Sequence, residues 1–255
     1  MNTHQAVLTL PGRTKPYLMA HRGNKVACPE NTLVAFQRAL SEGADIIETD
    51  LHLTADGVFV CIHEETVDRT PHGIGPVAGM SLAELKTLSA ACGRPEFEAE
   101  RVPTLAEFVD ILPSDVALAL ELKTDRFLEP EVCRRLAAEL VQGGVLERTV
   151  ALSFSLPRLQ ALQAVAGDIP IGWITLSRIW PRRETQLIGP LWPLLLLNPF
   201  YVRVAHSRGQ LVCPLDPTPD GRLRYYRWLG CDAVLSDDPG ATRQALNRFE
   251  SISDD

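Results

Sequence analysis

VALALELK, residues 116–123, is the stretch that decides the fold. In an extended strand, alternate side chains point to opposite faces. Val116, Leu118, Leu120 and Leu122 then share a face bulky enough to meet helices. Ala117, Ala119, Glu121 and Lys123 share the other, with small residues first and a charged pair at the C-terminal end. Small interior side chains that give way to polar ones suit a closed parallel barrel opening toward a rim.

Working outward, strands are expected at YLMAH (17–21), DIIETDLHL (45–53), TVALSF (149–154), IPIGWIT (169–175) and DAVLSD (232–237). After an ADG turn, VFVCIH (58–63) reads as a further strand, ending on His63 at the same rim as the others. PLLLLNP (193–199) is the expected seventh strand, with LVCPLD (211–216) beside it. Helical patterns fall at 31–43, 81–90, 104–112, 129–142, 156–166 and 220–229. The first of these has Asn31 or Thr32 as its cap and Gly43 as its stop. Strands alternating with helices imply a parallel sheet. About eight such units in 255 residues predict an α/β fold of the (β/α)8 TIM type, with the active site at the C-terminal rim of the strands. The expected organisation is one barrel domain over 1–255, its motifs confined to about 17–245.

Bulk composition narrows the function. A net charge of −7 argues against nonspecific nucleic-acid binding, so an anionic substrate would need local positive charge. The six cysteines form no CxxC pair, which speaks against a zinc site or disulfide framework and for a reducing, cytoplasmic compartment. Cys61, within an apolar run, reads as a small core residue. The N-terminus lacks the basic start and long apolar segment of a signal peptide. The greasiest stretch, LIGPLWPLLLLNPF (187–200), is broken by prolines and too short to span a bilayer. It is expected to be a buried strand with its flanks; the lesser reading is a lip touching a membrane surface.

Polar residues recur where the strands end. His21 ends the first, Glu48 and Asp50 share a face of the second, His63 ends the third, and Glu121 and Lys123 share a face of the fourth. Arg22 stands in the loop above His21. Each has an ordinary structural explanation alone, as a satisfied histidine, a solvated acidic pair or a simple ion pair. Four segments delivering such groups to one rim are harder to explain that way. Three oxygen donors without a thiolate suit a hard cation, Mg²⁺ or Ca²⁺. Arg22 as a fork and Lys123 as a point charge suit a phosphate. Two histidines can exchange protons across it. Together these groups read as metal-assisted cleavage of a phosphate ester.

HRG with PENT, GADIIETDLHLTADG, the His and RT of HEETVDRT, ELK, and the closing GCDAVLSDDP resemble the glycerophosphodiester phosphodiesterase family over roughly 18–240. The resemblance implies a TIM-type barrel hydrolysing glycerophosphodiesters to glycerol 3-phosphate and an alcohol. It implies His21 and His63 as the acid/base pair, Glu48, Asp50 and Glu121 as metal ligands, and Arg22 and Lys123 as phosphate contacts. The implied partner is a small-molecule glycerophosphodiester. The alternatives are a lysophospholipase D acting on lysophospholipids, a catalytically silent barrel that binds phosphodiesters, and a metal-dependent sugar isomerase, which would not need Arg22.

The chain departs from the family pattern in three places. Glu64 replaces an Asp and is expected to point away from the His63 face. Ser236 replaces a Thr. Cys213 stands where a Trp belongs, which leaves the alcohol specificity open; Trp173 is expected in the core rather than as its substitute. Weaker candidates are His52, expected to face loop solvent, His206, expected to be exposed, and His72, in a Gly-rich loop that could cover the site. Glu30 and Asn31 are expected to shape their loop and helix start rather than to catalyse.

Overall fold

Eight parallel strands curve into a nearly closed barrel in the computed structural model, which describes residues 10–69 and 73–252. They are β1 (Tyr17–His21), β2 (Ile46–Leu53), β4 (Ala117–Leu122), β5 (Thr149–Ser153), β6 (Ile171–Thr175), β7 (Leu187–Pro190), β8 (Leu211–Val212) and β9 (Ala233–Ser236), with β3 (Phe59–Cys61) set apart. Their order around the barrel is β8-β7-β6-β5-β4-β2-β1-β9. The seam between β8 and β9 is tied by Asp232 N–H donating to the Val212 carbonyl at 2.9 Å and Asp237 N–H to the Pro217 carbonyl at 2.8 Å.

The alternation in 116–123 sorts as expected. Leu118, Leu120 and Leu122 join Leu18, Ile47 and Phe36 in the apolar layer between strands and helices. Ala117 and Ala119 face inward with Met19, Ile46, Leu152 and Ile174. The small interior side chains leave room at the centre, and the charged residues stand above them.

Two expectations are corrected. The seventh strand is Leu187–Pro190, and Pro193–Leu197 is a short helix. A run of four leucines fits a buried strand and a buried helix turn equally, so periodicity cannot separate them. Pro193 favours the helix, since a first-turn residue needs no N–H and its φ is already fixed. Leu194 and Leu195 are buried, whereas Leu196 and Leu197 are exposed.

The second correction concerns β3. It is not a stave of the barrel but an antiparallel partner of the upper part of β2, with Leu51 opposite Cys61 and Leu53 opposite Phe59. β2 therefore climbs past the rim and turns, and β3 brings the chain back down. Ile62 N–H donates to the Asp50 carbonyl at 3.0 Å, which sets His63 beside the rim by descent. Val60, Val67, Val77, Leu85 and Val102 form a separate apolar cluster with this hairpin.

Candidate active site

β1 stops at His21 because the next two residues reverse the chain. Arg22 has φ 59° and Gly23 φ 79°, both in the left-handed region that glycine tolerates best. A Cβ at Gly23 would lie 2.6 Å from the Ala35 carbonyl carbon and oxygen. Gly23→Ala is therefore expected to cost about 2–5 kcal/mol, from backbone strain plus overpacking, read as a fall in denaturation midpoint. A variant as stable as the parent would show that the turn relaxes freely.

The reversal aims Arg22 back over the barrel. Its backbone N–H donates to the Glu48 carbonyl at 3.1 Å and to Glu48 Oε2 at 3.0 Å. The guanidinium faces Asp50 Oδ2 at 3.1 Å and donates to Glu30 Oε2 at 3.1 Å. Burial disfavours the charge on Arg22, but Asp50, Glu30 and Glu48 outweigh it and hold the group protonated.

Glu48 and Asp50 come from β2 and Glu121 from β4, where Asp50 and Glu121 sit directly opposite each other. All three are buried, and each places a carboxylate oxygen within 4.8 Å of the others. Burial, then the charges of Asp50 and Glu121, push the Glu48 carboxyl well above the usual range. Burial also raises Glu121, with Lys123 pulling the other way. Burial works against the charge on Asp50 too, but Arg22, Lys123 and the Asn31 amide hold it low. Lys123 Nζ lies 3.2 Å from Asp50 Oδ1 and 3.0 Å from Glu121 Oε1. Asp50 Oδ1 is nevertheless fully buried and accepts no well-formed hydrogen bond. Three crowded carboxylates, one with a free buried lone pair, match the oxygen donor set of a hard divalent cation.

The two histidines are each tied at Nδ1 to a carboxylate. His21 Nδ1 lies 2.7 Å from Asp237 Oδ1, and Lys25 Nζ holds the other oxygen at 3.0 Å. Burial pushes His21 below the ordinary imidazole value, while the Asp237 bond pulls it back up. His63 Nδ1 lies 3.1 Å from Glu64 Oε1. Glu64 therefore turns toward His63, not away from it. The alternation of a strand no longer applies there, because β3 has ended at Cys61.

Glu64 also opens a chain of ion pairs. Arg69 donates to it at 2.6 Å and reaches Glu30 Oε1 at 3.1 Å, and Glu30 in turn holds Arg22. Asn31, at φ 54°, donates to Asp50 Oδ2 at 2.9 Å and accepts from the Thr49 hydroxyl at 2.7 Å. Glu30, Asn31, Glu64, Arg69 and Asp237 thus orient the site residues, a role the sequence reading did not give them. The available signal was the carboxylate of Glu30 in the same short loop as Arg22.

Other candidates resolve differently. His52 is buried, with Nε2 3.3 Å from the His63 carbonyl, because the returning hairpin covers it. His206 is exposed and bonds Asp232 at 2.8 Å, at the barrel end opposite the rim. Trp173 packs in the outer layer, and its Nε1–H donates to the Phe154 carbonyl at 3.0 Å. Cys61 is buried in that same layer. His72 and Thr70 lie outside the described residues. Ser236 accepts from the Asp238 N–H at 3.0 Å and bonds Thr242 at 2.8 Å, so a hydroxyl without the threonine methyl suffices.

The rim has two unlike sides. A pocket runs from His21, Glu48 and Glu121 down an apolar wall that includes Leu152, Ile174 and Cys213. On the other side His52, His63, Lys123 and Arg158 line an open polar groove.

The model of the glycerophosphoryl diester phosphodiesterase family matches residues 21–241. A glycerophosphodiester phosphodiesterase of Caldanaerobacter subterraneus is 33% identical, over 88% of this chain and 95% of that one. A probable glycerophosphodiester phosphodiesterase 1 of Mycobacterium tuberculosis is 51% identical, over 91% and 92%. The structure of an Oleispira antarctica phosphodiesterase with the product sn-glycerol-3-phosphate superposes with TM-score 0.79 at 26% identity, covering 91% of this chain and 97% of that one. With its barrel, rim and motifs matched from His21 to Ala241, the chain belongs to the glycerophosphoryl diester phosphodiesterase family.

Proposed function

We propose that this barrel hydrolyses small glycerophosphodiesters to glycerol 3-phosphate and an alcohol, with His21 and His63 as the proton-transfer pair. The observation that carries the reading is the convergence of two carboxylate-tied histidines on three buried carboxylates and two cations at one rim. The product bound in the Oleispira antarctica relative supports the same substrate class.

Glu48, Asp50 and Glu121 would hold Mg²⁺ or Ca²⁺. That ion would polarise a phosphoryl oxygen and ease ionisation of a hydroxyl. Arg22 and Lys123, which stand against the carboxylates here, would contact the phosphate oxygens. Asp237 and Glu64 would fix the ring orientation of their histidines and leave Nε2 of each ring to exchange protons.

His21→Ala and His63→Ala are each expected to lower kcat on glycerophosphocholine by about 10²- to 10⁴-fold, with unchanged circular dichroism. Cys61→Ala and His206→Ala are the controls and should keep kcat close to the parent value. Normal turnover in His63→Ala would end the two-histidine reading.

Arg69→Gln breaks the link between Glu64 and Glu30 without touching substrate. It should reduce kcat by about 10- to 100-fold and alter the pH profile of kcat, with Arg69→Lys recovering part of the loss. A profile identical to the parent would leave Arg69 a purely structural residue.

A further inference from the structure

The charge of the chain is unevenly distributed. Residues 176–230 carry eight arginines, no lysine and three acidic residues, a balance of +5. With −7 overall, the rest of the chain stands at −12. The same segment holds seven of the twelve exposed large hydrophobic residues among those described. Basic and apolar side chains are thus concentrated together in about a fifth of an otherwise acidic protein.

The fold brings the members of this set that follow the C-terminal ends of β6 and β7 onto one face. Leu176, Ile179 and Trp180 lie on the segment leaving the top of β6, and Leu196, Leu197 and Phe200 on the segment leaving the top of β7. The Asn198 side-chain amide donates to the Ile179 carbonyl at 2.7 Å and pins one segment to the other. Tyr225 donates to the Leu195 carbonyl at 2.8 Å and stacks on Trp228, itself 72% exposed, at 5.9 Å. The face adjoins the catalytic rim, since Leu191 pairs with Leu215, a residue lining the pocket. Arg178, which follows β6, and Arg203 and Arg224, each in the first turn of its helix, are exposed, and among the described residues none of them pairs with a carboxylate.

We propose that this face docks the protein on an anionic lipid bilayer, with the pocket mouth beside the membrane surface. Tryptophan, leucine and phenylalanine side chains suit the boundary between headgroups and acyl chains, and Arg178, Arg203 and Arg224 are long enough to reach the lipid phosphates beside them. A nucleic acid would use the arginines but leave Leu196, Leu197 and Phe200 without a partner. A second copy would set two positive faces against each other. Among the described residues no helix is long and apolar enough to cross a membrane, so the contact is peripheral.

The test is sedimentation of the full chain with phosphatidylcholine vesicles and with vesicles containing 30% phosphatidylglycerol, at low and at raised salt. Binding is expected on the anionic vesicles only, and it should weaken with salt. Arg178→Ala/Arg203→Ala should lower the partition coefficient about five-fold per arginine. Leu197→Ser/Phe200→Ser should lower it about ten-fold or more. Thermal melts check that both variants fold, and the binding readout is independent of the catalytic reading. The proposal is overturned by no recruitment at low salt, or by binding that survives either pair of substitutions. It is equally overturned if the apolar variants keep binding while the protein binds duplex DNA as well, or if the parent dimerises through this face in solution.

Discussion

Chelation with EDTA is expected to abolish phosphodiester hydrolysis, and Mg²⁺ or Ca²⁺ to restore it. The reason lies in the carboxylates. Glu48, Asp50 and Glu121 bring oxygens within 4.8 Å of one another in a buried site, and Arg22 and Lys123 balance only part of that charge. Burial first, and then the charges of Asp50 and Glu121, push the Glu48 carboxyl upward. A divalent ion that binds the folded chain alone must also stabilise it. At a concentration 100 times its Kd the gain is about 2.7 kcal/mol, which for a chain of this size corresponds to a rise in Tm of about 5–10 °C. Asp50→Asn and Glu121→Gln should lose most of that rise, so the assignment can be checked without measuring turnover. Full activity in exhaustively stripped protein, or a Tm indifferent to both ions, would sink it.

The parts of this site that were legible in sequence are those carried on regular strands. Glu48, Asp50 and Glu121 could be placed because strand periodicity fixes which face each occupies, and neighbouring parallel strands keep those faces aligned. His21 could be placed because an apolar run ended on it. The residues that orient the two histidines were not legible. Glu64 follows the end of its strand, where alternation stops predicting direction. The chain from His63 through Glu64, Arg69 and Glu30 to Arg22 joins two separate loops, and only the folded hairpin brings them together. The helix at Pro193–Leu197 was missed for a different reason: its four consecutive leucines satisfy either period, and only the proline told them apart.

A substrate lacking only the glycerol 2-hydroxyl, such as propanediol phosphocholine, is expected to bind but to be cleaved at least about 10³-fold more slowly. That hydroxyl sits on the carbon next to the phosphorylated one, so its attack on phosphorus closes a five-membered ring. Intramolecular attack avoids much of the entropy cost of positioning a separate water, an advantage of up to about 7–11 kcal/mol in ideal cases. Two histidines, each oriented by its own carboxylate, suit such a sequence. One would take the 2-hydroxyl proton as the new O–P bond forms. The other would protonate the departing alcohol oxygen as the old P–O bond breaks. Water would then add to phosphorus with the roles reversed, opening the ring to give glycerol 3-phosphate. Competition assays with glycerophosphocholine measure binding of the analogue, and single-turnover rates compare the chemical step. A cyclic phosphate signal in phosphorus NMR during turnover of the natural substrate would support the route directly. Comparable rates for the two substrates would exclude it and leave water as the first nucleophile.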